Sequence, residues 1–392
     1  MRKVLFCMYS GVPEPPTLNA LNAMAEKCSE VVFLRSNMYF KGWDYASNIN
    51  VIEISKCIAV KDVVHLPFIA KMLRFIAYCF ALRKQITGEK YEMIVIHDYL
   101  GLLAYWFVTK ITGFKGLVWF NSYDPLEPER YNLKPYTLIG IVKNNFSTIL
   151  SSIDYLSIPS KERLPYYPIE NLRKKFFILP NFPSVKFYTS FFEPKHLSNH
   201  NPIRILYQGA IGEGHGIEEL IVLLKNKIQD RELHLVLKGW LYDEYKEKLY
   251  TLAEKEGVGH LLFFEGYSWY KDLPNFTKTC DIGWAVHSDE NNIAFKTAAT
   301  ASNKIYEYAA LGMPVFLYDS ESYRANLGKY AWAFFTNLTT SNLLTQIDSI
   351  ITRYDELSLL AHKDFMSTFN YEKVFNPIIE EIFQDHAKRI HP

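Results

Sequence analysis

Ser302-Asn303-Lys304-Ile305-Tyr306-Glu307-Tyr308-Ala309-Ala310-Leu311-Gly312-Met313-Pro314-Val315 is the stretch from which the rest of the chain is read. It has the form of a short helix followed by a strand. Ser302 can cap the helix start, Gly312 and Pro314 end it, and 315–317 continue as a buried strand. Lys304 and Glu307 stand three apart, on one helix face near its positive end. Such a pair suits a phosphorylated ribose. Lys304 and the first-turn N–H groups, Asn303 among them, would take phosphate, and Glu307 would accept from sugar hydroxyls. From spacing alone, a solvated i,i+3 ion pair is the simpler account.

The chain around this stretch has 392 residues, enough for two ordinary domains, and about half of it is apolar. A formal net charge of +1 argues against a nucleic-acid footprint. The five cysteines (Cys7, Cys28, Cys57, Cys79, Cys280) are scattered without a C-x-x-C, so buried thiols in a reducing compartment are expected. The N-terminal residues run straight into a short strand, with an apolar run too short for a signal peptide, and no segment looks long and apolar enough to span a bilayer. A cytoplasmic protein is expected.

A strand–helix rhythm fills both halves and predicts parallel doubly wound sheets. In the second half, 203–209 reads as a strand running into Gly209-Ala210-Ile211-Gly212-Glu213-Gly214-His215-Gly216, with a helix from 217. Glycines at such a turn let backbone approach a phosphate, so Gly209, Gly212, Gly214, His215 and Gly216 are donor-site candidates; a tight turn without a ligand is the alternative. Strands at 234–239 and 261–265 end in Gly239 and in Gly266-Tyr267, and 281–287 ends in His287. His287, Asn291 and Asn292 are candidates for touching a sugar.

In the first half, the strand at 4–9 ends in Ser10-Gly11-Val12-Pro13, where a ligand loop or a plain turn is expected at Gly11. The strand at 91–96 delivers His97-Asp98, and that at 116–120 delivers Asn121-Ser122-Tyr123-Asp124. Ligands bind at the carboxyl edge of an open parallel sheet, although such residues also cap the next helix. Two clusters at one edge favour a ligand cleft. Glu127, Glu129 and Arg130 add charge to the same loop. Between these strands, 65–85 is helical. Its apolar set (Phe68, Ile69, Met72, Phe75, Ile76, Cys79, Phe80) predicts the core face, with Lys71, Arg74, Tyr78 and Gln85 outward. The alternative for this segment is an interfacial helix on the anionic inner face of a membrane. The stretch 184–202 has the polar, proline-punctuated composition of a linker. In the last helical segment, 371–389, Pro377 predicts either a kink or a fresh helix capped by Asn376.

The 302–315 stretch resembles the P-N-K-x-x-E-Y-x-A-x-G-x-P-V signature of family-4-type (group 1) retaining glycosyltransferases, with Ser302 in place of the leading proline. The resemblance implies the α/β GT-B fold, two Rossmann-like parallel-sheet domains facing a central cleft. It implies an acceptor-side domain over 1–185, a nucleotide-sugar domain over 186–370, and a final helix, 371–392, returning to the first domain. It implies that Glu307 binds the donor ribose and that Gly239 and Tyr267 lie near the base. His97-Asp98 resembles the family's His-Asp pair, and 121–124 its D-x-H-E patch, with Asn121 for the Asp and Tyr123 for the His. Asp124 then binds or orients the acceptor. Ala210 and His215 stand where relatives carry positive charge toward the diphosphate, leaving Lys304 as the main cation, aided by His215 if protonated. Ala299 stands where the E-x7-E pattern has a second Glu.

The function expected is retaining, hexosyl-type transfer from a UDP- or GDP-sugar to a hydroxyl of a polysaccharide or lipid-linked oligosaccharide. The catalytic candidates are Lys304, Asp124, His97 and Asp98, with Gly11, Asn121 and His287 at the sugar or acceptor. The sequence has no D-x-D or H-E-x-x-H motif, so neither metal nor cofactor is expected, and Lys304 with the 209–216 loop would carry the leaving diphosphate's charge. Two other classes remain: a sugar-nucleotide epimerase or phosphorylase of the same fold, and a catalytically weak nucleotide-sugar-binding scaffold in a polysaccharide assembly complex.

Overall fold

The computed structural model describes residues 2–10, 14–36, 43–54, 68–127, 133–197, 202–288 and 292–390. The expectations for Gly11, 65–67, Glu129, Arg130 and Asn291 fall outside them. The chain divides into two compact units. The first comprises Met1–Pro180 and Val374–Pro392, and the second Asn181–Lys373.

The first unit is built on seven strands: β1 (Lys3–Met8), β2 (Glu30–Ser36), β3 (Ile49–Ile54), β4 (Met93–Ile96), β5 (Leu117–Asn121), β6 (Tyr155–Ile158) and β7 (Lys175–Ile178). Their order is β3-β2-β1-β4-β5-β6-β7, and all neighbours are parallel. The central strands are apolar almost throughout because helices cover both faces, as the buried runs of β1, β4 and β5 show. Order reverses between β1 and β4. The loops leaving those two strands diverge there and open a crevice.

The second unit repeats the plan with β8 (Ile203–Ile211), β9 (Lys227–Ile228), β10 (Arg231–Leu241), β11 (Leu262–Phe264), β12 (Ile282–Trp284), β13 (Val315–Tyr318) and β14 (Ala333–Thr336). Six strands are parallel in the order β11-β10-β8-β12-β13-β14, and short β9 pairs antiparallel with β10. The reversal falls between β8 and β12, so the 209–216 loop and the residues after Trp284 share the crevice edge.

Several elements differ from the sequence expectation. The helix Phe68–Gly88 is rotated relative to its predicted face. It buries Phe75, Tyr78, Leu82 and Ile86, while Phe68, Ile69, Ile76 and Phe80 are exposed. Apolar residues lie all round this helix, so periodicity alone did not fix its inner side. The predicted 184–202 linker is instead partly structured within the second unit. Ser184 caps the helix Val185–Tyr188. Tyr188 is buried, Phe187 stacks on Tyr270 at 5.3 Å, and Phe192 stacks on His362 at 3.6 Å. Aromatic anchoring replaced the missing period. Residues 143–150 belong to two helices, Leu138–Asn144 and Phe146–Leu150. Pro377 lies inside one helix, Tyr371–Ile390, so Asn376 is not a cap. Ser302 occupies the cap position of Asn303–Ala310 without a side-chain cap bond.

Candidate active site

In the second unit the helix Asn303–Ala310 turns Lys304 and Glu307 toward the end of β8. The i,i+3 pair suggested by spacing takes separate partners. The Lys304 ammonium donates to the Tyr207 hydroxyl at 2.8 Å. The Glu307 carboxylate accepts from the Gln208 side-chain amide at 2.6 Å, and Thr277 fixes that amide by donating to its oxygen at 2.8 Å. Glu307 is only 4% exposed. Burial pushes its pKa up to about 7, against the Gln208 bond and the nearby Lys304 charge. Burial pulls Lys304 down to about 7, with Glu307 opposing. A cation and an anion are thus held at the edge of ionisation, which is costly unless a ligand completes them.

Backbone geometry explains two glycines here. Gly209 has φ +121° and lies against Lys304, where an added Cβ would come 3.5 Å from the lysine Cε. Gly239, paired with Gly209 across β8 and β10, has φ +145°; a Cβ there would sit 1.9 Å from the Gly209 carbonyl oxygen. Strand closeness therefore demands glycine at 239. The 209–216 loop is tied to the β12 exit: Trp284 Nε1 donates to the His215 carbonyl at 2.7 Å, and the Ser288 amide to that of Gly214 at 2.8 Å. Gly214 and Gly216 both have positive φ, and Gly212 is partly exposed.

His215 and His287 meet at 5.2 Å between ring centroids, with Phe295 against both and Tyr207 against His215. His287 Nδ1 bonds the Tyr323 hydroxyl at 2.7 Å. Burial first, then the Lys304 charge, drives His215 down to about 3 and His287 well below the usual imidazole range. The expectation that protonated His215 aids the diphosphate is therefore corrected for the free protein. Asn292 caps the helix Ile293–Lys296. Ala299 is buried. Gly239 and Tyr267 line a cavity of about 270 Å³ with Ile211, Trp240, Phe264 and Lys246. Trp240 and Tyr267 stand 5.6 Å apart there and remain exposed.

The first unit carries a separate cavity of about 580 Å³ lined by Tyr9, Ser10, His97, Asp98, Tyr123 and Asp124, among others. Asp98 caps the helix Tyr99–Thr112 through Gly101 N–H at 2.5 Å, and it also accepts from the Ser10 amide at 2.7 Å. It locks the β1 exit to the β4 exit. Burial raises its pKa, and these bonds oppose the rise. His97 stacks on Phe6, and its Nδ1 meets the Tyr123 hydroxyl at 2.5 Å. Burial lowers His97 to about 3, so it is neutral across the ordinary range. Thr17 also bonds Tyr123. Asp124 pairs with buried Arg163 at 3.0 Å. Asn121 accepts from Ser157 at 2.7 Å and lies within the sheet end. His97, Asp98, Tyr123 and Asp124 are thus brought together, as are Lys304, Glu307, Gly209 and His215. Sequence reading missed Tyr207 and Gln208, and also Tyr188, whose hydroxyl hydrogen-bonds the Glu307 carboxylate; their only signal was adjacency to Gly209 or to the apparent linker. It also missed Arg163.

This arrangement, two parallel-sheet units with a lysine–glutamate helix at the second sheet's crevice, is the GT-B fold of glycosyltransferases. Residues 189–358 match the family model "Glycosyl transferases group 1". That match lies within the second unit, and fold and match together support a glycosyltransferase. No curated protein matches by sequence. Among solved structures, the sucrose-phosphate synthase of Thermosynechococcus elongatus superposes with a TM-score of 0.71 at 12% identity, covering 99% of this chain and 100% of its own. Anabaena HepE, solved with UDP and glucose, gives 0.66 at 12% identity, covering 98% and 100%. A putative UDP-N-acetylglucosamine 2-epimerase from Listeria monocytogenes gives 0.61 at 13%, covering 98% and 97%. At such identities these neighbours share the fold alone.

Proposed function

We propose that the chain transfers a sugar from a UDP- or GDP-sugar to a hydroxyl of a polysaccharide or lipid-linked oligosaccharide, with retention and without a metal. The observation that carries this reading is the Lys304–Glu307 helix, which sets a half-buried cation against Gly209 and a buried carboxylate beside it, each with its ionisation displaced toward neutral pH. A donor completes both. Its diphosphate favours the charged Lys304, and its ribose hydroxyls donate to the ionised Glu307. The 270 Å³ cavity beside Gly239 and Tyr267 takes the base, with Trp240 and Tyr267 as stacking faces. In the transition state, negative charge grows on the leaving diphosphate, and Lys304 with the 209–216 amides offsets it. The acceptor binds in the first unit's cavity. There neutral His97 and the Asp124–Arg163 pair position a hydroxyl.

The test is thermal stabilisation by UDP, GDP, ADP and CMP in the presence of a chelator, beside Glu307→Gln. A ligand that binds only the folded state raises Tm with concentration over Kd. One diphosphate nucleotide should raise Tm in the native protein and much less in the variant. No shift with any nucleotide overturns the reading. A shift unchanged in Glu307→Gln removes the ribose assignment.

A further inference from the structure

Tyr207 touches the site's cation and both ends of its glycine loop. It lies on β8, two residues before Gly209, and is fully buried. Its hydroxyl donates to the Ala210 carbonyl at 2.7 Å and accepts from the Lys304 ammonium at 2.8 Å. A phenol has one proton, so the bond to Ala210 leaves its lone pairs to the lysine. The same ammonium lies 4.0 Å from the centroid of the Tyr207 ring, within cation–π range. The ring also packs against His215, with centroids 4.9 Å apart. Burial pushes the Tyr207 hydroxyl well above the ordinary phenol range, so it stays protonated and neutral.

These contacts matter because of what the loop lacks. Ala210 carries no charge, and burial holds His215 neutral. The cation set against the loop is Lys304, whose ammonium nitrogen would come 3.6 Å from a Cβ added at Gly209. A lysine ammonium is a point charge on a flexible stem, and left to itself it would sample many positions. Tyr207 narrows that choice. Its hydroxyl and its ring together fix the ammonium beside Gly209, and the same hydroxyl occupies the Ala210 carbonyl, a group that would otherwise repel an anion.

We infer that Tyr207 is a positioning residue for the leaving diphosphate: it sets the Lys304 ammonium and the Gly209–Ala210 backbone in the arrangement that receives that group, in place of a cation at Ala210. The inference rests on the glycosyl-transfer reading, since it takes a nucleoside diphosphate as the ligand. The probes are UDP and GDP, titrated by calorimetry into the native protein, Tyr207→Phe, Lys304→Met and the double variant. Tyr207→Phe keeps the ring against His215 and removes only the oxygen, so its circular dichroism should match the native protein. It deletes a hydrogen bond to a charged group, so the dissociation constant of the tighter-binding nucleotide should rise by roughly tenfold. In the Lys304→Met background the same change should alter it by less than about threefold, because no ammonium is left to position.

The pH dependence of affinity is the second readout. Lys304 faces Glu307 on its own helix, His215 from the glycine loop and His287 after β12, and burial keeps both imidazoles neutral. Without the Tyr207 acceptor the charged ammonium is less favoured, so the alkaline fall in affinity should begin at lower pH in Tyr207→Phe. The acid limb, set by Glu307, should not move. The nucleotide's own phosphate titration is common to both proteins. Native protein that binds neither UDP nor GDP overturns the donor-site reading and this assignment with it. Native binding that Tyr207→Phe leaves unchanged overturns the assignment alone. So do equal losses in the native and Lys304→Met backgrounds, or an unfolded Tyr207→Phe, either of which would make Tyr207 a structural residue.

Discussion

The two sheet edges hold their polar groups in opposite ways. At the first, Asp98 is satisfied by Ser10 and Gly101, Asp124 by Arg163, and His97 is held neutral against Phe6 and Tyr123. At the second, the half-buried Lys304 and the buried Glu307 have only neutral partners, Tyr207 for the lysine and Gln208 with Tyr188 for the glutamate, and both ionisations are displaced toward neutral pH. Satisfied carboxylates fix a cavity's shape before any ligand arrives. Under-compensated charges store a preference for a ligand of complementary charge. The first edge therefore has the hydrogen bonding of a frame, and the second has charges that a ligand of complementary charge would stabilise.

The largest effect that can break this comparison is removal of the second edge's cation. Lys304→Met keeps the length of the side chain and deletes its charge. Losing one member of a buried charged contact costs about 2–5 kcal/mol of binding. The dissociation constant of the preferred nucleotide diphosphate, measured by calorimetry, should therefore rise by about 1.5 to 3.5 orders of magnitude. Asp124→Asn, at the first edge, should leave that constant unchanged. Equal losses from both variants would show that the two edges are not different in kind.

The frame has its own, smaller test. Asp98→Ala removes the cap of the helix Tyr99–Thr112 and unties the Ser10 amide. A lost cap costs about 0.5–2 kcal/mol. Urea unfolding followed by near-UV signal should show a lowered midpoint, while nucleotide stabilisation at subsaturating urea persists. If Asp98→Ala instead abolished nucleotide binding with the midpoint unchanged, Asp98 would not be a frame residue.

Much of both edges was legible because parallel strands punctuated by polar residues write their carboxyl ends into the sequence. The runs before His97-Asp98 and Asn121–Asp124 located the first crevice, and Gly209–Gly216 with Lys304 and Glu307 located the second. Side-chain direction was less legible. The i,i+3 spacing of Lys304 and Glu307 suggested a mutual pair, yet Tyr207 and Gln208 on β8 take them separately, a tertiary contact that spacing cannot encode. The helix Phe68–Gly88 was mis-faced for a related reason: with apolar residues on every side, its inner face was chosen by the sheet it meets. The stretch 184–197 looked like linker because its anchors are isolated aromatics and have no period.

The smallest expected effect sharpens the comparison most, because it gives the second edge a pH signature that the first lacks. In the free protein, Glu307 has its pKa raised from 4.5 to about 7. The folded state then binds more protons than the unfolded one between those values, so this group's contribution to stability falls as pH rises through that window. Lys304 is lowered from 10.5 to about 7. Here the unfolded state binds more protons above pH 7, so stability recovers as pH rises toward 10.5. Together they contribute a stability minimum near pH 7. Nucleotide binding runs the other way. Below pH 7 the ligand must draw a proton off Glu307, and above it must place one on Lys304, so affinity peaks near pH 7. Each pH unit away from that point costs at most about 1.4 kcal/mol, a factor of ten. Histidines 97 and 215, neutral down to about pH 3, add no slope near neutrality. The measurement is Tm against pH, with and without nucleotide, for the native protein and for Lys304→Met/Glu307→Gln. The difference between the two proteins should dip near pH 7 without nucleotide, and nucleotide affinity of the native protein should crest there. A flat difference would mean that Lys304 and Glu307 ionise normally, and that the second edge is as well satisfied as the first.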